Sequence, residues 1–220
     1  MNGSNTQKII RLSKYFTKNP ADIIPYFTLG ALPYQKKTPL ELEIPWFSWE
    51  AIRFLKKFIK PGMKVFEWGS GGSTLYFANN KCDVYSIEDH AEWYEKVREK
   101  TSDKKNISIN LIPYDFNNTI DFQESHYLNP KVQFENYDII VIDGTEKQNK
   151  VRPSCFLKAQ KEILKNRKLS KMTIIIVDDS WRYPEIIASS SAKKIHRFEG
   201  TGPCRLGVTS TDIHVYTNEE

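Results

Sequence analysis

VFEWGSGGST, residues 65–74, carries Glu67 within an apolar run and then places glycine at 69, 71 and 72. Glycine has no Cβ, so such a segment lets the chain turn sharply and lets a ligand approach the main chain. A strand, a glycine-rich turn and the start of a helix are also how dinucleotide-binding folds hold phosphate, with backbone N–H groups and the positive helix end facing the anion. Two features point elsewhere. Glu67 brings to the mouth of the turn a carboxylate, which repels a pyrophosphate and attracts a positive centre. The third glycine of the G-x-G-x-x-G fingerprint is moreover Thr74. The stretch predicts a strand, a turn and a helix start at a ligand site, and argues against a nicotinamide dinucleotide.

Upstream, Ser48 caps WEAIRFLKKFI, in which Ile52, Leu55, Phe58 and Ile59 share one helical face and Pro61-Gly62 ends the helix. From there the apolar runs KVFEW, DVYSIE, ISINLIPY, YDIIVID and MTIIIVDD are separated by STLYFANN, DHAEWYEKVREK, a looser region and VRPSCFLKAQKEIL. Such alternation predicts βαβ units and a parallel sheet. The later runs are apolar on both faces, as strands covered by helices on each side must be. KKIHRF and DIHVYT follow PEIIASS with a Gly/Pro-containing loop and no long helix between them, so they are expected to pair as an antiparallel hairpin. The expected fold is α/β: a Rossmann-like, seven-stranded, mostly parallel sheet with helices on both faces and a C-terminal antiparallel hairpin. Residues 1–45 read as an irregular N-terminal arm, with a short amphipathic helix over residues 7–16 and interruptions at Pro20, Pro25, Pro33, Pro39 and Pro45. Residues 46–220 read as one domain, without internal repeats.

Length and composition agree with a single core. The chain has 220 residues, 40% of them hydrophobic, which suffices for one well-filled domain. Its net charge of +5 is mild, and the lysines are dispersed instead of clustered between aromatics, so no nucleic-acid partner is expected. Cys82, Cys155 and Cys204 lie far apart and form no C-x-x-C pair, which suits a reducing cytoplasm. No run approaches the length of a membrane span and the first residues lack a leader pattern, so a cytoplasmic location and no membrane partner are expected. The sequence carries no signal for oligomeric state.

The chemistry-bearing residues gather at the strand ends. Glu67, Glu88, Asp115, Asp143 and the pair Asp178-Asp179 stand at or just past the carboxyl ends of five successive runs. In an open parallel sheet that rim is where ligands bind. Any one of these acids also reads as a polar strand end or a helix cap, and Asp89 is expected to cap the helix after Glu88. Trp46, Trp49 and Trp181 flank the same rim, as sugar- or adenine-stacking rings or as packing. Arg152 and Arg182 follow two of the acidic ends, to bind an anionic acceptor or to pair with those acids. His126 reads as a surface loop residue, His196 and His214 as sheet residues, and Cys155 as a core residue of its helix.

With these residues in place, the chain from about residue 45 onward resembles the class I S-adenosylmethionine-dependent methyltransferases. VFEWGSGGST looks like their first motif, VYSIE like the second strand whose acidic end holds the ribose, and YDIIVIDG and IIIVDDS like the fourth and fifth strands. IPWFSWEAIRFL leading into FEWGSGGSTLYFA, followed by IDG and VDDSWRYPE, is similar to a subgroup of small bacterial methyltransferases associated with surface polysaccharide and sugar metabolism. The resemblance implies S-adenosylmethionine held by Glu67, Gly69, Ser70, Gly71, Ser73 and Thr74. It further implies Glu88 on the ribose hydroxyls, and Asp115 or the main chain beside it on the adenine. The implied acceptor is a small hydroxylated, sugar-like molecule methylated on oxygen, with Asp143 catalytic. It also implies a possible Mg²⁺ at Asp143, Asp178 and Asp179, as in metal-dependent O-methyltransferases. This chain differs from those enzymes in having Asp178-Asp179 for their Asp-Asn pair and Glu146 where they place a lysine. Asp143 as a direct base or as a contact of the cofactor amine stays open beside the metal. So do a non-catalytic binding module and a nicotinamide oxidoreductase. Acceptor selectivity is expected from residues 19–45 and 117–134.

Overall fold

Seven strands, β1 (Lys64–Trp68), β2 (Asp83–Glu88), β3 (Ile107–Leu111), β4 (Ile139–Ile142), β5 (Thr173–Asp178), β6 (Lys194–Gly200) and β7 (Thr209–Tyr216), form one sheet in the order β3-β2-β1-β4-β5-β7-β6. The computed structural model describes residues 5–30, 37–115, 121–165, 169, 171–203 and 207–218; Pro33, Cys204 and part of the expected selectivity loop fall outside them. The first five strands are parallel, whereas β7 inserts antiparallel between β5 and β6. The expected α/β sheet and its closing hairpin are therefore both present. The chain builds β1 to β3 outward in one direction and returns to place β4 on the other side of β1. This opens a crevice at the carboxyl ends of β1 and β4.

Helices cover both faces because the strand pleat sends alternate side chains to opposite sides. Phe66, Ile140, Ile142, Ile175 and Val177 face α7 (Val151–Ile163), meeting Cys155, Phe156 and Ala159. Val65, Ile139, Val141, Ile174, Ile176 and Ile213 face α4 (Trp49–Phe58) and α5 (Gly72–Asn79), meeting Ala51, Leu55 and Phe77. Every residue of β5 is buried, which explains its lack of polar alternation. As expected, Ser48 Oγ accepts the Ala51 N–H at 3.3 Å to start α4, and Gly62, at φ +83°, turns the chain after it. α6 (Ala91–Lys100) follows β2, and α8 (Pro184–Ser189) precedes β6. His196 and His214 lie in β6 and β7, and Cys82 and Cys155 are buried.

Ahead of α4 the chain forms α1 (Asn5–Lys18), α2 (Ile23–Pro25), a π-helical turn (Tyr26–Gly30) and α3 (Pro39–Leu42). The helix expected over residues 7–16 is α1. This segment is fastened to the domain, since the buried Asp22 accepts the Tyr15 hydroxyl and pairs with Arg53 of α4 at 2.5 Å. Leu40 packs on Leu75 and Val97. α3 presses so closely on the start of α5 that a Cβ at Gly72 would stand 2.6 Å from the Pro39 carbonyl oxygen. Among the described residues no helix is long and apolar enough to cross a membrane.

Candidate active site

A cavity of about 670 Å³ opens at the carboxyl ends of β1, β2, β4 and β5. Its walls are the turn from Gly69 to Ser73, Glu88 with His90 and Trp93, residues 143–146, Asp178 and Asp179. Arg152 and Arg182 join them, as do Thr38, Pro39 and Trp46 from the segment before α4. The turn is fixed by its neighbours. Gly69 sits at φ +91° and donates its N–H to the Ile87 carbonyl at 2.8 Å. A Cβ there would come within 2.8 Å of Gly144 Cα, so the close approach of the loops after β1 and β4 requires glycine at 69, while a Cβ at Gly144 would strike the Tyr127 hydroxyl. Ser70 donates its N–H and its Oγ–H to Glu88 Oε2 at 3.0 and 2.9 Å, while Trp93 Nε1 donates to the Ser70 carbonyl at 2.7 Å.

Glu67 does not stand at the mouth. Its side chain is fully buried beneath the turn, where Oε2 accepts from Thr74 Oγ1 and Ser86 Oγ, each at 2.6 Å. Thr74 Oγ1 in turn accepts the Gly71 N–H at 3.0 Å, so Glu67 holds the turn from below through Thr74. Burial pushes its carboxyl up to about 7, against the hydroxyl donors Ser86, Thr74 and Ser73 that pull it down. Glu88 does reach the wall. Its Oε1 accepts the N–H groups of Asp89 and His90 at 3.2 and 3.1 Å. Burial raises its carboxyl as well, opposed by the donors from His90 and Ser70. The cap of α6 is His90, whose Nδ1 accepts the Trp93 N–H at 3.3 Å, and not Asp89 as the sequence suggested.

At the ends of β4 and β5 the acids are held by an arginine. Arg152, nearly buried, pairs with Asp143 Oδ1 at 3.1 Å and donates to the carbonyls of Gly144 at 3.3 Å and Asp178 at 2.8 Å. Burial works against its charge, but Asp143 first, then Tyr183, Asp178 and Asp179, outweigh it and raise its pKa above the ordinary arginine value. Asp178 Oδ1 accepts from Thr211 Oγ1 at 3.0 Å. Asp179, at φ +52°, accepts at Oδ1 from Thr209 Oγ1 and Trp181 Nε1 at 2.9 and 3.3 Å. Among the described residues no three His, Cys, Asp or Glu side chains gather as metal ligands. The Mg²⁺ expected at Asp143, Asp178 and Asp179 thus does not fit: a guanidinium already supplies the cation beside Asp143, and the other two carboxylates are turned to their own donors.

The remaining expected residues divide. Ser73 lines the wall, Thr74 lies beneath it, and Asp115 is exposed beyond β3, outside the wall. Trp46 is 45% exposed in the wall and Trp181 sits exposed beside Asp179, whereas Trp49 packs on the core of the α4 face. His126 is an exposed loop residue. Glu146, noted in the sequence only as a departure from the metal-dependent enzymes' lysine, has a capping role that sequence reasoning missed: its carboxylate accepts the N–H groups of Lys150, Val151 and Arg152 at 2.9, 3.2 and 3.1 Å at the start of α7. The signal was available, as an acid just ahead of an apolar helical run is a favourable N-terminal charge. Trp93 was also missed, and nothing local marks it.

The folded chain superposes on a crystal structure of a candidate O-methyltransferase from Klebsiella pneumoniae with a TM-score of 0.60, at 14% identity over 94% of this chain and 99% of that one. The fold is that of the class I methyltransferases. A crystal structure of an S-adenosylmethionine-dependent methyltransferase from Aquifex aeolicus gives a TM-score of 0.51 at 16% identity, covering 82% of this chain and 94% of that one. No protein-family description and no curated protein matches the sequence. On this methyltransferase fold the cavity is a cleft with five carboxylates in its wall, Glu88, Asp143, Glu146, Asp178 and Asp179. One of its two guanidiniums is already paired to Asp143. Such a wall favours a ligand with a positive centre and hydroxyl groups over a polyphosphate.

Proposed function

We propose that the chain is an S-adenosylmethionine-dependent O-methyltransferase acting on a small hydroxylated, sugar-like acceptor, with residues 46–220 as its cofactor-binding domain. The observation that carries this reading is the coupling of Glu88 to the glycine turn. A carboxylate at the end of β2 clamps the loop that a nucleoside ligand must cross, in a cleft whose other charges are mainly negative. The cofactor has a sulfonium, an ammonium and two ribose hydroxyls, and no phosphate. Glu88 would accept the ribose hydroxyls once Ser70 Oγ rotates aside, and the backbone from Gly69 to Ser73 would meet the methionine end. Glu67 and Thr74 would keep that turn in shape from beneath, and Asp115 is proposed for the adenine amino group.

The cofactor, when bound, supplies an electrophilic methyl group. The chain's part is to hold an acceptor hydroxyl in line with it, which accounts for most of the rate in such a transfer. Asp143 would take the hydroxyl proton. Its pairing with Arg152 fixes its orientation in the wall. Trp46 offers an exposed ring in the same wall as Glu146 and Asp179, and a flat apolar face beside carboxylates suits the C–H and O–H faces of a sugar.

Calorimetric titration tests the cofactor. S-adenosylhomocysteine should bind and NAD should not; heat from NAD alone would move the chain to the oxidoreductases. Replacing Glu88 by alanine should weaken S-adenosylhomocysteine binding by roughly 1.5–3 kcal/mol, the worth of hydrogen bonds to a charged group. Unchanged affinity would reduce Glu88 to a loop clamp.

A further inference from the structure

We propose, against the expectation from sequence of no membrane partner, that residues 5–30 form a docking surface for an anionic lipid bilayer. Five of the ten exposed large hydrophobic side chains among the described residues fall within this short segment: Ile9 at 66%, Ile10 at 49%, Ile23 at 37%, Ile24 at 73% and Phe27 at 48%. Single exposed apolar residues need no explanation, but a gathered set does. These residues are continuous through the rings. Ile9 stands two helical turns before Phe16, on the same side of α1, and the Phe16 ring lies 6.4 Å from that of Phe27. Ile23 and Ile24 precede Phe27 by four and three residues in the next helical turns, the spacing that puts side chains on one face.

The charge on the segment decides what covers it. α1 carries Lys8, Arg11, Lys14 and Lys18 and no acid, and Arg11, Lys14 and Lys18 are exposed. The single acid of residues 5–30, Asp22, is buried against Tyr15 and Arg53 and neutralises nothing outside. A second copy of this chain, docked symmetrically, would bring the same cations against one another around the apolar centre, which is repulsive. Anionic headgroups are complementary to the cations, and the acyl boundary beneath them accepts isoleucine and phenylalanine. Apolar residues flanked by exposed lysine and arginine are the pattern of helices that lie in a membrane interface. The segment also transmits its position to the domain. Asp22 ties it to Arg53 of α4, and Tyr15 lies so close to Gly200 of β6 that a Cβ there would strike its hydroxyl. A bilayer that holds α1 therefore holds the catalytic domain at its surface.

Sedimentation of the full chain with vesicles tests this independently of the methyltransferase reading. The chain should pellet with vesicles of phosphatidylcholine mixed with phosphatidylglycerol, stay in solution with phosphatidylcholine alone, and be released by high salt. Ile24→Ser combined with Phe27→Ser, and separately Lys14→Glu combined with Lys18→Glu, should each weaken vesicle binding by about tenfold or more. Lys14 and Lys18 are exposed, so the variant at these two positions should leave melting temperature and S-adenosylhomocysteine binding unchanged. The proposal is overturned if the chain ignores anionic vesicles or if both variants bind them as well as the parent. It is equally overturned if the chain forms a dimer that Ile24→Ser and Phe27→Ser dissociate, without any lipid binding, since the face would then be an interface between copies.

Discussion

Replacing Arg152 by methionine is expected to destabilise the fold by about 3 kcal/mol, the low end of what removing one partner from a buried ion pair costs, because the Asp143 side chain keeps 21% of its surface exposed. The guanidinium pairs with Asp143 and donates to the Gly144 and Asp178 carbonyls, so its loss strands a carboxylate and two main-chain acceptors at the ends of β4 and β5. Methionine fills part of the volume but donates to none of them. Arg152→Lys keeps a charge without the planar fork and should fall between the two. Denaturant midpoints at constant slope give the numbers. Adding Asp143→Asn to the methionine variant removes the stranded charge and should recover part of the loss. A double variant no more stable than Arg152→Met would show that the carbonyl contacts, and not the ion pair, hold the two strand ends together.

The second large effect is a pH dependence. Glu67 has its carboxyl pushed up to about 7 by burial, from an ordinary value near 4.5 in the unfolded chain. Below about pH 4.5 both states are protonated and Glu67 contributes no pH-dependent term. Between the two values the folded state binds more protons than the unfolded one, so stability falls as pH rises. Above about 7 the full cost of a buried carboxylate is present, on the order of 3 kcal/mol. Glu67→Gln mimics the protonated acid, keeping an oxygen for Thr74 and Ser86 while leaving the second atom where Oε1 has no hydrogen-bond partner. The variant should gain on the parent in melting temperature between pH 5, near the lower edge of the window set by the raised carboxyl, and pH 8, above it. If the difference between parent and variant stays the same from pH 5 to pH 8, Glu67 is ionised at its usual value and the turn is held by charge instead.

Much of this fold was legible because it is written in local patterns. The fully buried run of β5, the Ser48 cap of α4 and the antiparallel pairing of the last two strands each reflect interactions within a few residues or a simple rule about covered sheets. The acids at the strand ends were likewise visible, because sheet topology sends all parallel strand ends to one rim. Their roles were not visible. Glu67 and Glu88 look alike in sequence, each closing an apolar run ahead of a turn, yet Glu67 is buried under the turn and Glu88 faces the cavity. Strand pleat and the neighbours Thr74 and Ser86 make that difference, and they arrive from other elements.

The Mg²⁺ expectation finds no support for the same kind of reason. Three aspartates near two strand ends suggest a cation, and the sequence left open whether Arg152 and Arg182 pair with those acids or bind an acceptor. Arg152 reaches Asp143 and the Asp178 carbonyl from the first turn of α7, whose N–H groups Glu146 caps. By itself the sequence determined the alternation of strands and helices, the hairpin and the acidic rim, because hydrophobic period and turn chemistry are properties of adjacent residues. The tertiary structure alone decided which acids meet the cavity, which are neutralised, and that α1 leaves an apolar, basic face outward. Burial and pairing depend on residues brought together from distant parts of the chain, and those contacts fix the charge that each carboxylate presents.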